Sequence, residues 1–454
     1  MSDARNGAGT GARAIAAQVL TRVFEDRAFA AAALDVALGR AEGLDPRDAA
    51  LATELVYGVL RTEAFLEAAL AEHARTGRLP DHAAARAHLL AGAYTLAFLD
   101  RVPAYAAVSE AVDGVAREIG EKPARFANAI LRAYAASLDA RRPALEDAIA
   151  DGAAGWLRGS LRRSIGRAGA RAFLAAGPVP PPLGIAVADR AAREAMRDTL
   201  AAAAPEGATI EVGRISPHAL VGSRVGDPRK LPGFEDVWIV QEEGAQAVAL
   251  AVGAKPGERV LDACAGRGNK SWLLARRVGR GGHVASADKH PNKLEAAAAR
   301  ALEASGATSS TYATDWTIGP GDVPDDFDAV LVDAPCSGVG TLRRRPEIGR
   351  HRSADDVATL SLDQREIARA AAARARDGGR LVYAVCSVLR EECEDVVAAL
   401  ATDDGGPVRL EPAPFDAPEL AAVLGDRTAL RLLPHEHGTD GYFLASFVVR
   451  RARG

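Results

Sequence analysis

The feature that most constrains this fold is a change of hydrophobic periodicity along the chain. Between positions 12 and 137, apolar residues recur every three or four positions, as at Val108, Val112 and Val115. That spacing is typical of amphipathic helices. Beyond Gln241, short apolar runs alternate with alanine-rich stretches of helical spacing, a pattern typical of a doubly wound, mainly parallel sheet. The sequence therefore predicts an all-α N-terminal part and an α/β C-terminal part.

The segment between these two parts carries signals of its own. Residues 141–202 keep a mostly helical pattern, which the run GPVPPP at 177–182 interrupts because proline cannot continue a helix. Short β-like pieces are found at 184–187, 209–212 and 237–240. We expect three domains, namely a helical domain at 12–140, linker helices with a small α+β module at 141–240, and an α/β domain at 241–450.

Composition excludes several classes of protein. Apolar residues make up 48% of the 454 residues, so a disordered or fibrous chain is excluded. The net charge of −4 excludes a strongly basic nucleic-acid coat, although not local basic patches. Four cysteines without C-x-x-C spacing argue against a disulfide scaffold or a zinc ribbon, and we expect no metal. With no signal peptide and no apolar stretch of about 18 residues, we expect a soluble protein of the reducing cytoplasm.

The first candidate site is the sequence LDACAGRGNKS at 261–271. Asp262 ends an apolar run, two glycines allow a tight turn, and a helix follows whose free N–H groups attract anionic or polar groups. Asp288 ends the next apolar run, 20 residues after Gly268, where a carboxylate suits hydrogen bonding with ribose hydroxyls. The spacing around Lys270 is not that of a phosphate-binding P-loop. The cluster indicates a nucleoside ligand, and a purely structural turn is the alternative.

Two further apolar runs lead directly to a cysteine. Asp333 and Cys336 follow one run in FDAVLVDAPCSGVGTLRRRPEI at 327–348, and Cys386 ends another in GGRLVYAVCSVLREECED at 378–395. Because the carboxyl ends of parallel strands meet at one edge of a sheet, we expect both thiols there. A thiol suits attack on an electron-poor carbon followed by departure. An inert buried thiol is the alternative for Cys336.

Other residues of these motifs have less specific interpretations. Three arginines, Arg343, Arg344 and Arg345, either meet phosphates or lie in a solvated loop. Cys264, within the glycine-rich turn, and Cys393, one helical stretch beyond Cys386, are expected to have packing roles.

Together the motifs resemble those of the RsmB/Nop2/Sun family of RNA cytosine-C5 methyltransferases. The resemblance lies in LDACAGRGNKS, ADKHPNKLEAA (287–297), TDW (314–316), DAPCSGVGTLRRRPEI (333–348) and LVYAVCSVLREECED (381–395), with WIVQEEGAQAVA (238–249) and HGTDGYFLASF (437–447) on either side. Upstream, ELVYGVLR (54–61), FLDRVPAYAAVSEAV (98–112) and FANAILR (126–132) resemble the NusB-like RNA-binding domain of the RsmB branch. The resemblance covers about residues 12–449, and the combination of domains is more specific than any one motif.

The resemblance implies a fold, a cofactor and a set of roles. The fold would be an N-terminal NusB-like helical bundle, a small α+β module and a C-terminal Rossmann-like class I methyltransferase domain. S-adenosylmethionine would be held by a loop of Cys264, Ala265, Gly266, Arg267, Gly268, Asn269 and Lys270, with Asp288 at the ribose, Asp315 near the adenine and Asp333 at the junction with the substrate. Cys386 would add to carbon 6 of the cytosine, Cys336 would assist release, and Asp333 would stabilise the ring. The implied partner is RNA, specifically 16S rRNA.

The chain departs from the family pattern at several positions. Arg267 and Asn269 replace a proline and a glycine of the usual cofactor loop, Val385 replaces the usual threonine before the nucleophile, and Cys393 stands where asparagine is usual. A non-catalytic, NusB-like RNA-binding factor with a decayed methyltransferase domain is therefore the main alternative. A second alternative is DNA cytosine methylation, in which the thiol after proline, here Cys336, is the nucleophile.

Overall fold

The computed structural model describes residues 11–41, 43–176, 181–302, 306–402 and 406–451. These residues form two compact units. The helical unit comprises the described residues of Met1–Arg162, Gly166–Pro180 and Leu342–Ser353. The sheet unit comprises those of Arg163–Ile165, Pro181–Thr341 and Ala354–Gly454.

Helices and strands follow one another in the order that the periodicity predicts. The α-helices of the described residues are α1 (Ala12–Glu25), α2 (Ala30–Arg40), α3 (Pro46–Ala71), α4 (Ala83–Phe98), α5 (Ala104–Glu118), α6 (Glu121–Leu138), α7 (Leu145–Gly152), α8 (Gly155–Ala175), α9 (Arg193–Ala203), α10 (Glu243–Ala251), α11 (Asn269–Val278), α12 (Pro291–Leu302), α13 (Ile348–His351), α14 (Ala354–Ala372), α15 (Glu394–Thr402), α16 (Ala421–Leu424) and α17 (Pro434–His437). The strands are β1 (Leu183–Val187), β2 (Thr209–Val212), β3 (Ala219–Ser223), β4 (Trp238–Val240), β5 (Arg259–Asp262), β6 (His283–Asp288), β7 (Thr308–Ala313), β8 (Phe327–Asp333), β9 (Ala375–Val385), β10 (Val408–Pro412), β11 (Ala429–Leu432) and β12 (Tyr442–Arg451).

The helical unit confirms the predicted all-α N-terminal part. Helix α3 begins at Pro46, whose missing N–H has no role at that position, and Asp45 caps the helix by accepting a hydrogen bond from Arg47 N (2.7 Å). Small residues let the helices approach closely, since a Cβ at Gly58 of α3 would lie 2.1 Å from the ring of Tyr94 in α4. Helices α1 to α6 contribute the alanine- and leucine-rich core of this unit.

The helical unit also contains one segment from the C-terminal half of the sequence, Leu342–Ser353. The Arg61 guanidinium donates to the carbonyl oxygen of Arg343 (2.7 Å), and Arg350 pairs with Glu63 (N–O distance 2.5 Å). The three consecutive arginines after the Cys336 loop therefore belong to the helical unit. The division of the sequence into three domains stays a prediction.

The sheet unit contains two sheets, of which the smaller is antiparallel with the order β2–β3–β1–β4. Strands β1, β2 and β4 correspond to the three β-like pieces of the sequence. Ala186 of β1 and Ile239 of β4 belong to the same hydrophobic core as Val260 and Leu274. The small sheet is thus packed into the sheet unit through a shared core.

The larger sheet has the order β10–β12–β9–β8–β5–β6–β7, with β11 paired to β12. The five strands β5 to β9 pair in parallel, and β12 runs antiparallel to β9. Alternate residues face opposite cores: Val260 and Leu331 lie in one, Leu261 and Val330 in the other. Both faces are covered, as parallel sheets require, and the predicted mainly parallel sheet is confirmed.

The order of strands creates a crevice between β5 and β8. From β5 the chain moves outward to β6 and β7, and it then returns to β8 on the other side of β5. Ligands of open α/β sheets bind at the carboxyl ends of the strands beside such a switch point. Asp262, Asp288 and Asp333 end β5, β6 and β8 at this edge, and Cys386 directly follows β9.

In the part of the chain that the structure describes, no helix combines the length and apolar character needed to cross a membrane. Among the same residues, no group of three or more His, Cys, Asp or Glu side chains is arranged to hold a metal ion.

Candidate active site

The turn after β5 has the backbone geometry of a ligand-binding turn. Gly266 (φ +55°) and Gly268 (φ +80°) lie in the left-handed region and reverse the chain before α11 begins. A Cβ at Gly268 would lie 2.5 Å from the Cα of Ala297, so glycine is needed for this approach to α12. No side chain caps the N-terminus of α11, and the positive end of a helix dipole attracts anionic groups at such a terminus.

Two buried acceptors beside this turn lack a donor. Asp262 is fully buried; its Oδ2 accepts from Ser271 Oγ (2.7 Å), whereas Oδ1 has no hydrogen-bond partner. Burial raises the pKa of Asp262 from 3.8 to about 6, although the bond from Ser271 opposes the shift. Gln241 donates through Nε2 to the carbonyl oxygen of Asn269 (3.2 Å), but its buried Oε1 has no partner. Unpartnered acceptors at one site point to a donor group that a ligand supplies.

The carboxylates predicted to meet ribose and adenine follow neighbouring strands. Asp288 accepts hydrogen bonds from Gly266 N (3.0 Å) through Oδ2 and from His290 N (2.8 Å) through Oδ1. Each carboxylate oxygen has two lone pairs, so both can still accept a hydroxyl. Asp315 follows β7, and hydrogen bonds from the side chain and backbone of Thr317 lower its pKa. Both residues are therefore acceptors at this edge.

Asp333, the last residue of β8, forms an ion pair with Lys270 of α11. The Nζ–Oδ2 distance is 2.5 Å, and the two side chains are only 16% (Lys270) and 23% (Asp333) exposed. Burial alone would lower the pKa of Lys270, but the charge of Asp333 and its hydrogen bond outweigh burial and raise that pKa. Lys270 therefore stays charged, and the ion pair joins the turn after β5 to the end of β8.

The two cysteines predicted at strand ends lie next to each other. The Sγ atoms of Cys336 and Cys386 are 3.3 Å apart, and both residues are partly exposed. Gly340 N donates to the carbonyl oxygen of Cys386 (3.0 Å), which ties the loop after β8 to the end of β9. The hydrogen bond with Cys386, and then burial, raise the pKa of the Cys336 thiol well above its usual range. Cys336 therefore keeps its proton, and in the contact between the two thiols either sulfur can be the donor.

Two residues of this edge were not singled out as site residues by the sequence argument. Gln241 lies in the WIVQEEGAQAVA element, and its contact with the glycine-rich turn is visible only in the fold. Glu392 is fully buried after β9 and accepts from Ser337 N of the Cys336 loop (2.7 Å). The local pattern cannot distinguish Glu392 from the neighbouring Glu391 and Glu394, because its burial depends on the loop that packs against it.

Comparison with protein families gives two matches. Residues 249–448 match the family described as 16S rRNA methyltransferase RsmB/F, and residues 10–136 match the NusB family. The first match includes the turn after β5, both strand-end cysteines and the end of the large sheet. The second lies within the N-terminal helices.

Individual relatives are similar over nearly the whole chain. The Mycobacterium tuberculosis protein Rv1407 is 35% identical over 96% of both chains. The ribosomal RNA small subunit methyltransferase B of Pseudomonas syringae is 31% identical over 96% of both chains, and that of Xanthomonas campestris is 32% identical over 96% of this chain and 97% of its own.

Solved structures show the same fold at lower sequence identity. The crystal structure of PH0851 covers 97% of this chain and 99% of its own, with a TM-score of 0.76 at 20% identity. The structure of NSun6 from Pyrococcus horikoshii with SFG covers 66% of this chain and 98% of its own, with a TM-score of 0.53 at 18% identity.

Proposed function

The chain belongs to the RsmB/F family of 16S rRNA methyltransferases, and we propose that it methylates carbon 5 of a cytosine in 16S rRNA through a covalent adduct of Cys386. The observation that carries this proposal is the pair of thiols at the ends of β8 and β9, whose Sγ atoms are 3.3 Å apart. A reaction that uses cysteine only as a nucleophile would need one thiol. A second, protonated thiol within hydrogen-bond distance suits a reaction in which the first thiol must later leave.

The methyl donor in this proposal is S-adenosylmethionine, which supplies an electrophilic methyl group on a sulfonium when bound. The residues present fit it. The unpartnered Oδ1 of Asp262 and Oε1 of Gln241 are acceptors for an ammonium group, and the uncapped start of α11 offers N–H groups to a carboxylate. We assign Cys264 to Lys270 to the cofactor loop, Asp288 to the ribose and Asp315 to the adenine.

The proposal gives the two thiols different roles. The pKa of the Cys336 thiol is raised, so Cys336 keeps its proton, and the role of nucleophile falls to Cys386. The Lys270 ammonium, held by Asp333, lies close enough for Cys386 to contribute to its raised pKa. The thiolate is the reactive form of cysteine, and in this proposal it attacks beside a fixed cation.

These residues account for the steps that the protein must perform. The Cys386 thiolate adds to carbon 6 of cytosine, which makes carbon 5 electron-rich enough to accept a methyl group. Asp333 accepts a hydrogen bond from the amino group of the base, and the Lys270 ammonium that it holds stabilises the negative charge that thiolate addition places on the ring. Once carbon 5 carries the methyl group, water takes the carbon 5 proton and the electrons of that C–H bond form the carbon 5–carbon 6 double bond. The Cys386–carbon 6 bond breaks at the same time, and Cys386 leaves as a thiolate that accepts a hydrogen bond from the Cys336 thiol. The target base must be unpaired or flipped out for Cys386 to reach it.

Replacing each cysteine by alanine tests the assignment. Cys386→Ala should abolish both methylation and any covalent adduct, because no thiol adds to carbon 6. Cys336→Ala should allow addition but slow release, so a ribonuclease-sensitive protein–RNA complex that survives heating in detergent should accumulate. Cys393→Ala is the matched control, since that thiol is fully buried and donates to the Ser387 carbonyl (3.7 Å), away from the thiol pair. This variant should methylate without accumulating the complex.

Two other outcomes would identify the alternatives. An adduct with Cys386→Ala that is absent with Cys336→Ala would reverse the roles, as in a DNA-type mechanism. No adduct from either variant, with no binding of S-adenosylmethionine by the parent protein, would favour an RNA-binding factor with a decayed methyltransferase domain. Bisulfite sequencing of rRNA from cells with and without the protein would locate the modified cytosine.

A further inference from the structure

A buried carboxylate connects the two cysteine-bearing segments. Glu392 has no exposed surface and lies six residues after Cys386. Its Oε1 accepts from Ser337 N (2.7 Å) and from Gln364 Nε2 (3.1 Å), and its Oε2 accepts from Ser337 Oγ (2.5 Å). Ser337 directly follows Cys336. A side chain from the segment after β9 thus holds the backbone of the loop after β8.

The same network holds the other side of Cys336. Gln364 of α14 donates through Nε2 to the carbonyl oxygen of Pro335 (2.9 Å), and Tyr383 OH lies within hydrogen-bond distance of Gln364 Oε1 (3.0 Å) and the carbonyl oxygen of Glu392 (2.7 Å). The residues before and after Cys336 are therefore both hydrogen-bonded to this network. Glu392 therefore holds both neighbours of Cys336, Ser337 directly and Pro335 through Gln364.

The network reaches the segment after Cys386 as well. Ser387 Oγ lies 3.4 Å from Ser337 Oγ and accepts from Leu389 N (3.2 Å). The donors to Glu392 are neutral, and burying a carboxylate among neutral groups is costly compared with an apolar side chain of similar size. Stability alone does not favour a carboxylate here, which points to a role in the site.

We propose that Glu392 is a positioning residue that holds the Cys336 thiol against Cys386 and so sets the rate at which the covalent adduct is released. The inference rests on the proposed function, which it deepens by naming the group that keeps the two thiols in register. Electrostatics supports the geometry: the hydrogen bond with Cys386 and burial raise the pKa of Cys336, and the charges of Cys386, Glu392 and Asp333 act in the same direction. Glu392 thereby also helps to keep the proton on Cys336.

The test is Glu392→Gln, which keeps the length of the side chain and one acceptor oxygen but removes the charge. Its matched control is Glu391→Gln, since Glu391 pairs instead with Arg163 (2.8 Å). We expect Glu392→Gln to lower kcat at least tenfold, to change KM for RNA less than twofold, and to accumulate the detergent-resistant adduct. The control should match the parent protein in all three measurements. A purely structural role would lower the unfolding temperature without changing kcat or adduct level well below that temperature, and this result would overturn the proposal.

A second variant and a second readout keep the test decisive. If Glu392→Gln does not fold, Ser337→Ala keeps the bond from Ser337 N to Glu392 but removes the Oγ–Oε2 bond, together with the 3.4 Å contacts of Oγ with Ser387 Oγ and Val339 N. It should raise the adduct level at least threefold. The second readout needs no catalysis: in a Cys386→Ala background, Glu392→Gln should speed alkylation of Cys336 by iodoacetamide at pH 8 at least threefold, with the buried Cys393 as internal reference. Unchanged alkylation would count against the proposal. Absence of a Cys386-dependent adduct in the Cys336→Ala protein would refute the proposed function, and alkylation would still decide the role of Glu392.

Discussion

Replacing Asp262 by asparagine tests how the site recognises the positively charged end of its cofactor. Asp262 is fully buried with a pKa of about 6, and its Oδ1 has no partner. A group with that pKa is roughly nine-tenths protonated at pH 5 and about one-tenth protonated at pH 7. If only the carboxylate accepts a hydrogen bond from the ammonium group, affinity for S-adenosylmethionine should fall about tenfold from pH 7 to pH 5, or ~1.4 kcal/mol.

Titration calorimetry at pH 5, 6 and 7 measures this dependence. Asp262→Asn keeps an acceptor for Ser271 but cannot titrate, so its affinity should be lower at pH 7 and should not fall further at pH 5. Asp328→Asn is the control, because Asp328 lies at the opposite end of β8 and accepts from Arg259 N (2.9 Å). A parent protein whose affinity is the same at pH 5 and pH 7, or an Asp262→Asn protein with the parental slope, would refute the reasoning.

The same pKa shift has an opposite effect on stability without ligand. Since the folded-state pKa is raised from 3.8 to about 6, the carboxyl group favours folding below about pH 4 and loses that contribution as pH rises through 6. The loss is at most ~3 kcal/mol. Asp262→Asn should therefore increase the free energy of unfolding in urea at pH 7, with a smaller difference below pH 4. A less stable variant at pH 7 would show that burial of the charge is not costly here.

Two other substitutions test the edges of the cofactor site. Asp288→Ala should weaken S-adenosylmethionine binding about tenfold to a hundredfold, the loss expected for a charged hydrogen-bonding pair of roughly 1.5–3 kcal/mol. Because Asp288 also accepts a hydrogen bond from Gly266 N, a matched Asp288→Asn protein should lose less affinity. Unchanged affinity of the Asp288→Ala protein in calorimetry would contradict the assignment. Arg267 is exposed. If its guanidinium contacts a phosphate, Arg267→Ala should weaken RNA binding and reduce the dependence of RNA affinity on salt concentration. Tighter cofactor binding without an effect on RNA affinity would instead show that the arginine only repels the cationic ligand.

Hydrophobic periodicity predicts much of the fold, and it misses strand β7 for a physical reason. β2 occupies 209–212, the range that the sequence predicts. β7 was not predicted, because this edge strand consists mainly of Ser, Thr and Ala and faces solvent at several positions. An edge strand needs less apolar surface than a central strand such as β8, whose buried run is visible in the sequence. Hydrophobic patterns therefore reveal the centre of the sheet better than its margin.

The candidate site likewise has residues that the sequence predicts and features that it does not. Asp288, Asp333 and Cys386 were predictable because each ends or follows an apolar run, and parallel strands bring such positions to one edge. The position of Leu342–Ser353 in the helical unit was not predictable, since it contacts residues far upstream in the sequence, such as Arg61 with Arg343 at a separation of 282 positions. Local sequence contains no record of such pairings.

Burying the carboxylates of Asp262 and Glu392 costs stability in both cases, but the two differ in what compensates that cost. Asp262 has an unpartnered oxygen, so the free-energy cost of burying its carboxylate is compensated only when a ligand donates a hydrogen bond to that oxygen. The site therefore selects a cationic donor. Glu392 is compensated within the protein, because its hydrogen bonds come from Ser337 and Gln364 and do not depend on a ligand. The first arrangement makes binding sensitive to pH, and the second keeps two thiols at a fixed separation before any ligand binds. A substitution at Asp262 should therefore change cofactor affinity first, whereas one at Glu392 should change turnover first.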